Sequence, residues 1–152
     1  MTVSSIPGGF HSITPYLIVD DAAAAIDFYK TALDAIEIMR LPGPDNSVMH
    51  AEIKIGDSIV MLADECLERN IRSPKSIGDS PVGLMVYVDD VDAKFQQALS
   101  AGGKETKPLE DQFYGDQSGT FKDPFGHQWT MATHIEDVSN DEIQRRLKEM
   151  MS

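Results

Sequence analysis

A single cysteine, Cys66, in 152 residues excludes an intrachain disulfide and a thiolate zinc cluster, and it suits a reducing compartment. Cationic side chains are also scarce: 13 Lys and Arg stand against 25 Asp and Glu, for a net charge of −12. A surface of that sign repels phosphate backbones and anionic lipids, so no nucleic acid and no membrane is expected as a partner. No apolar run approaches membrane-spanning length, and the opening MTVSSIPGGF has neither a basic n-region nor an apolar h-region. A cytoplasmic protein is the expectation. Phosphate loop, nucleophile elbow, HExxH and dinucleotide fingerprint are all missing from the sequence. Cys66 has no neighbouring base in sequence, which argues against a nucleophilic role.

What remains is an ordinary globular mixture, 41% apolar and 25% charged. The length fits one compact unit, and a chain of this size buries roughly 70% of its unfolded surface. ITPYLIV (13–19) reads as a buried strand. The Asp20-Asp21 pair after it can cap a helix over AAAAIDFYKTALDA, where Ile26, Tyr29 and Leu33 recur at spacings of three and four. EIMRL, VMHAEIKI and SIVMLAD (37–41, 48–55, 58–64) follow as short strands between the turn signals PGPDN and GDS. Residues 65–81 carry no sustained period and contain Pro74, Gly78 and Pro81, which makes them a connector.

The order then repeats. VGLMVYV (82–88) is a strand, Asp89-Asp90 a cap, and VDAKFQQALSAGG a helix with Val91, Phe95 and Leu99 on one stripe. Moving the chain by 69 positions lays LIVDD (17–21) on VYVDD (86–90). KETKPL, QFYGDQSGTFKD and HQWTMATH supply the last strands, with the DPFG turn (123–126) standing where Gly56-Asp57 stands in the first half. In SNDEIQRRLKEMM, Ser139 and Glu142 have capping-box spacing, and Ile143, Leu147 and Met150 form an apolar stripe, so a docked terminal helix is expected. The fold class is therefore α+β: two tandem βαβββ units (12–64 and 82–135) forming a curved mixed sheet with a central cleft, a connector at 65–81, and a C-terminal helix at 138–151, all in one domain.

Two βαβββ units whose first strand ends in Asp-Asp, with IDFYKTAL in the first helix and DPFGH before the last strand, resemble the vicinal oxygen chelate superfamily of glyoxalases, extradiol dioxygenases and bleomycin-resistance proteins. VMHAEIKIGDSIVMLAD, YGDQSGTFKDPFGHQWTMATH and the trailing EDVS are similar to its PhnB-like branch. The resemblance covers residues 12 to about 145. It implies a divalent metal held by one residue each from the first and fourth strands of both units, usually His, Gln or Glu. Those positions fall here on Thr14, on Met61 or its neighbour Val60, on Gly83 and on Thr130. Glycine has no side chain, methionine suits soft metals, and threonine hydroxyls are weak donors to divalent ions, so no metal and no other cofactor is expected.

Other residues carry the candidate chemistry. Alternation in VMHAEIKI puts Met49, Ala51, Ile53 and Ile55 on one face and Val48, His50, Glu52 and Lys54 on the other. If the apolar set packs on the helices, His50 and Glu52 face the cleft as a catalytic acid–base pair, same-face neighbours on a strand lying about 7 Å apart. The competing reading is a solvated strand face with Lys54 paired to Glu52. Tyr16, Met61, Met85 and Tyr87 line the cleft by strand parity, with Met85 the one expected to pack in the core instead. His134 shares the face of Thr130 and could look into the same cavity or cap the strand end. Tyr114 and Asp116 stand in a glycine-flanked loop at the mouth of the second half-sheet. Tyr16, Met61, Tyr87, Tyr114, Asp116, Thr130 and His134 are thus the ligand-binding candidates. His127 is expected to stabilise a turn, and His11 to sit in a flexible lead-in.

From these residues and the resemblance follows a homodimer that binds a small organic molecule in the cleft without the family metal. The alternative is an enzyme of the lyase or isomerase type, either metal-free through His50 and Glu52 or using a non-standard metal site.

Overall fold

Asp21 and Asp90 start the long helix of each unit, each accepting a hydrogen bond at its carboxylate from the backbone N–H three residues on, Ala24 at 3.1 Å and Ala93 at 3.2 Å. A computed structural model describes residues 2–152. Helix α1 (Ala22–Leu33) ends on Asp34 in the left-handed region. It buries Ala25, Ile26, Phe28, Tyr29, Ala32 and Leu33, the stripe its spacing predicts. Helix α3 (Val91–Ala101) buries Val91, Phe95 and Ala98. A four-residue helix, α2 (Pro74–Ile77), interrupts the connector.

The strands are β1 (Tyr16–Val19), β2 (Ile36–Pro42), β3 (Val48–Ile55), β4 (Ser58–Asp64), β5 (Gly83–Tyr87), β6 (Lys104–Asp111), β7 (Asp116–Lys122) and β8 (Gln128–His134). They form two four-stranded mixed sheets of the same order, β1-β4-β3-β2 and β5-β8-β7-β6. The first pairing of each sheet is parallel and the other two antiparallel. Tyr16 pairs with Met61, and Met85, 69 positions on, pairs with Thr130. The duplication extends to a side-chain device. Asp64, ending β4, accepts from Ala22 N at 2.7 Å, and Thr133, 69 positions on, accepts from Val91 N at 3.0 Å, so each unit ties its last strand to its helix start.

Both helices pack on the inner faces of the sheets and against each other, and aromatic rings fill the seam. Phe28 lies 6.4 Å from Phe121 and 6.2 Å from Phe125, and Tyr29 lies 5.4 Å from Trp129 between ring centres. Gly119 lets this happen: an added Cβ would meet the Phe95 ring at 2.8 Å. The DPFGH turn is built around the buried Asp123. One carboxylate oxygen accepts from the N–H groups of Phe125 and His127, each at 2.9 Å, and the other from Trp129 Nε1 at 2.9 Å and the Tyr29 hydroxyl at 2.5 Å. Burial, with the Asp123 carboxylate behind it, holds the Tyr29 phenol well above its ordinary pKa.

Two face assignments are corrected. Val48 is 2% exposed and Met49 58% exposed, the reverse of the alternation expected. The β2–β3 register pairs Leu41 with His50 and then Pro42 with Val48, so Met49 is the extra residue of a bulge that resets the alternation. Met85 is not core: 46% exposed, it lies on the outer face of β5.

The terminal helix α4 (Asn140–Met151) is capped by Ser139, whose hydroxyl accepts from Glu142 N at 3.2 Å. It buries no residue, and Leu147 and Met150 of its apolar stripe stay exposed. Polar contacts hold it instead: Arg146 donates to the Phe113 carbonyl at 2.9 Å and to both Glu136 carboxylate oxygens at 3.0 Å. No helix of the described residues is long and apolar enough to cross a membrane.

Candidate functional site

The faces turned away from the helices carry the polar chemistry. On the first sheet, Tyr16, Met61, Glu52 and Met39 form one row across β1, β4, β3 and β2, and His50 stands one pair along, opposite Leu41. Beyond the bulge the alternation of β3 is regular, so Ala51, Ile53 and Ile55 are buried under the helices and His50 and Glu52 look outward, 21% and 14% exposed at their side chains. Tyr16 reaches over Met61 to the imidazole. Its hydroxyl lies 2.8 Å from His50 Nδ1, and His50 Nε2 lies 2.9 Å from Glu52 Oε2. A neutral ring protonated on Nε2 satisfies both contacts, the phenol donating to Nδ1 and Nε2–H donating to the carboxylate. Desolvation, and then the negative charge of Glu52, raise the Tyr16 pKa, so the phenol keeps its proton. Glu52 therefore pairs with His50, not with Lys54.

A second chain crosses the other sheet at the ends of its strands. Asp116 is 4% exposed and is the first residue of β7, not part of the loop in which the sequence suggests it. Its carboxylate accepts from the Tyr87 hydroxyl and from His134 Nδ1, each at 2.8 Å, while His134 Nε2 lies 2.7 Å from Asp137. A carboxylate stands at each ring nitrogen. The Asp116 bond first, and then that to Asp137, raise the His134 pKa. Tyr87 is likewise raised, chiefly by its hydrogen bond to Asp116.

The named residues thus fall into two groups, Tyr16, His50 and Glu52 in one and Tyr87, Asp116 and His134 in the other, with Met61 inside the first row. Thr130 belongs to neither and shares a 2.9 Å hydrogen bond with Thr120. Tyr114 stacks edge-on with Phe113 at 5.3 Å. His127 reaches β1, its Nε2 3.0 Å from the Ile18 carbonyl, and His11 is tied to the Asp57 carbonyl at 3.0 Å. Asp137, Met39 and Leu41 are additions to the sequence reading.

The positions that the resemblance gives to a metal do not fit one. Met61 offers a thioether, Thr130 is bonded to Thr120, and Gly83 has no side chain. Among the described residues no three His, Cys, Asp or Glu side chains group so as to hold a metal ion. Two cavities, of about 320 and 950 Å³, lie beside β1 and β5, and neither is lined by His50 or Glu52. Tyr16, 48% exposed, lines the smaller one.

Uncharacterized protein Rv0887c of Mycobacterium tuberculosis is 47% identical over 137 residues, covering 88% of this chain and 80% of that protein. Among solved structures, TioX from Micromonospora sp. ML1 superposes with a TM-score of 0.65 at 23% identity, over 82% of this chain and 99% of the other. A putative 3-demethylubiquinone-9 3-methyltransferase, PhnB protein, from Bacillus cereus gives 0.62 at 20% identity, over 81% and 99%. These likenesses in structure show the fold. The model of the Glyoxalase/Bleomycin resistance protein/Dioxygenase superfamily matches residues 9–131, and with paired βαβββ units in the same order the chain belongs to that superfamily.

Proposed function

We propose that the protein binds a small organic molecule on the outer face of the first sheet, without a metal, and that the Tyr16–His50–Glu52 chain makes the polar contacts. The observation that carries this reading is the chain itself: three side chains from two strands, linked at 2.8 and 2.9 Å, on a face that they share with Met39, Leu41 and Met61 and with Lys54. Ligand sites combine apolar walls with a few converging polar groups in this way. We infer further that a second copy of the chain covers this face, where Tyr16 and Leu41 are 48% and 49% exposed, and that the functional unit is a homodimer. Among the branches of the superfamily we favour the PhnB-like one, on the wording VMHAEIKIGDSIVMLAD and YGDQSGTFKDPFGHQWTMATH.

The same geometry supports a catalytic version. An imidazole oriented by a carboxylate and bonded to a phenol that stays protonated can take a proton at His50 while Tyr16 donates a hydrogen bond to developing negative charge. A metal-free lyase or isomerase follows from that reading.

A thermal-shift screen of small organic molecules, repeated on His50→Ala and Tyr16→Phe, tests the binding site. Hits that stabilise the native chain and lose at least about tenfold in affinity, or about 1.4 kcal/mol, in both variants support it. Hits that bind both variants as tightly as the native chain remove it. Turnover of a hit by native protein stripped with chelator, absent in His50→Ala, selects the catalytic version.

A further inference from the structure

The cavity of about 320 Å³ lies between the outer edge of β1 and the connector, with Tyr16 on its wall and neither His50 nor Glu52. Pro15, Ile77, Pro81, Val82 and Leu84 give it apolar walls, and Ile77 and Val82 are 62% and 63% exposed, large apolar groups that the fold leaves uncovered. Its size is at the small end of ligand pockets.

Two polar features belong to residues that line this slot. The first is backbone. Pro15 O accepts from Met61 N and Val19 O from Glu65 N, so the odd residues of β1 bond to β4 and the N–H and C=O groups of Tyr16 and Ile18 turn to the free edge. His127 takes the Ile18 carbonyl at 3.0 Å, and no group among the described residues accepts from the Ile18 N–H. The second is Arg72, on the cavity wall. In a chain with 25 acidic residues it forms no ion pair among the described residues. The acid that shares the wall, Asp79, is engaged elsewhere, accepting from Lys122 Nζ at 3.0 Å and from Ser80 N at 2.8 Å.

A guanidinium fork and a free backbone N–H beside apolar walls match one chemistry, a planar carboxylate on a compact apolar body. We propose that this cavity is a binding site for small apolar monocarboxylates, with Arg72 taking the carboxylate and Ile77, Val82 and Leu84 packing on the body. The site is separate from the Tyr16–His50–Glu52 chain, although Tyr16 borders both.

Titration of the isotope-labelled full chain with benzoate, followed by amide shifts, tests this. Saturable shifts are expected at Ile18, Val82 and Leu84. Benzamide, of the same shape without the charge, should bind at least tenfold more weakly, a comparison that needs no variant. Arg72→Ala should also weaken benzoate at least tenfold, while Arg69→Ala, at an exposed arginine of the same connector, and His50→Ala should leave it unchanged. The proposal is overturned by absence of saturable shifts at millimolar benzoate, by equal binding of benzamide, by equal losses in the Arg69 and Arg72 variants, or by shifts centred on β3. Loss in His50→Ala alone would assign benzoate to the outer face and refute the separate site without touching that reading.

Discussion

The Tyr29 hydroxyl on α1 donates to the Asp123 carboxylate between β7 and β8 at 2.5 Å, across 94 residues of chain. It is a polar link between the two units, set in an aromatic seam, and each of the four donors around Asp123 is spoken for by that one side chain. Removing the carboxylate strands buried donors, each costing about 1–3 kcal/mol. Asp123→Ala should therefore lose more than about 3 kcal/mol in urea unfolding, and Tyr29→Phe about 1–3 kcal/mol. Losses below about 1 kcal/mol in both would mean that water reaches the turn.

The outer face should behave in the opposite way. His50 and Glu52 stand on the face of β3 opposite the buried Ala51, Ile53 and Ile55, so His50→Ala and Glu52→Gln should each change stability by less than about 1 kcal/mol while weakening the ligands found by screening. A larger stability loss in denaturant titrations would make the Tyr16–His50–Glu52 chain a structural clasp.

Much of this was legible in the sequence because it is periodic. The LIVDD and VYVDD repeats marked the two helix starts, and the alternation from His50 to Ile55 put the two site residues on one face. The bulge at Met49 was hidden, since it depends on which β2 residue pairs with which β3 residue and leaves no mark in β3 alone. The partners of the site residues were hidden for the same reason. Tyr16 meets His50 only because β4 lies between β1 and β3 with Met61 in line, and Asp116 meets His134 only through the β7–β8 register. Arg72 lies in a stretch without period, where no pattern announces a cavity. The Ser139 cap of α4 was readable; its docking by Arg146 needed the positions of Phe113 and Glu136.

The donor chemistry at Thr14, Met61, Gly83 and Thr130 leads to a protein without tightly bound zinc, nickel, iron or manganese. Elemental analysis after dialysis should return well below one metal per chain. A stoichiometric metal would point to a site built from His50, Glu52 or His134.

Tyr16 and Leu41 on the outer face of the first sheet are 48% and 49% exposed, and Met85 and Tyr87 on that of the second 46% and 60%, apolar surface that a partner would bury. A dimer is the expected solution state, and light scattering should give twice the chain mass of 16.8 kDa. Leu41→Asp, opposite His50, should shift the equilibrium toward monomer. A native chain that scatters as a monomer at micromolar concentration would leave the outer face of a single chain as the working surface.

His134 should give the protein a pH-dependent C-terminal joint. Its two ring nitrogens face Asp116 and Asp137, and those bonds raise its pKa above the ordinary 6.5. Other charges at the joint are Glu136 and Arg146, paired with each other at 3.0 Å, while Tyr87 shares Asp116. A raised folded-state pKa means that the folded state holds the proton more tightly than the unfolded chain. The stabilisation is therefore fully present below pH 6.5 and is lost as pH rises through the raised value. The part affected is local, because His134 precedes the hook in which Ile135 and Glu136 both donate to the Gly115 carbonyl, at 2.9 and 3.0 Å. Gly115 has φ +105°, and an added Cβ would run into the Glu136 carbonyl, so the hook closes tightly when it forms. NMR titration should place the His134 pKa above 6.5. Amide exchange at Ile135 and Glu136, corrected for intrinsic rates, should lose protection above that pKa. His134→Gln, which cannot carry the charge, should lower the protection at acid pH and remove its pH step. A titration midpoint at or below 6.5, or protection that ignores pH in the native chain, would show that the two carboxylates do not hold the ring charged.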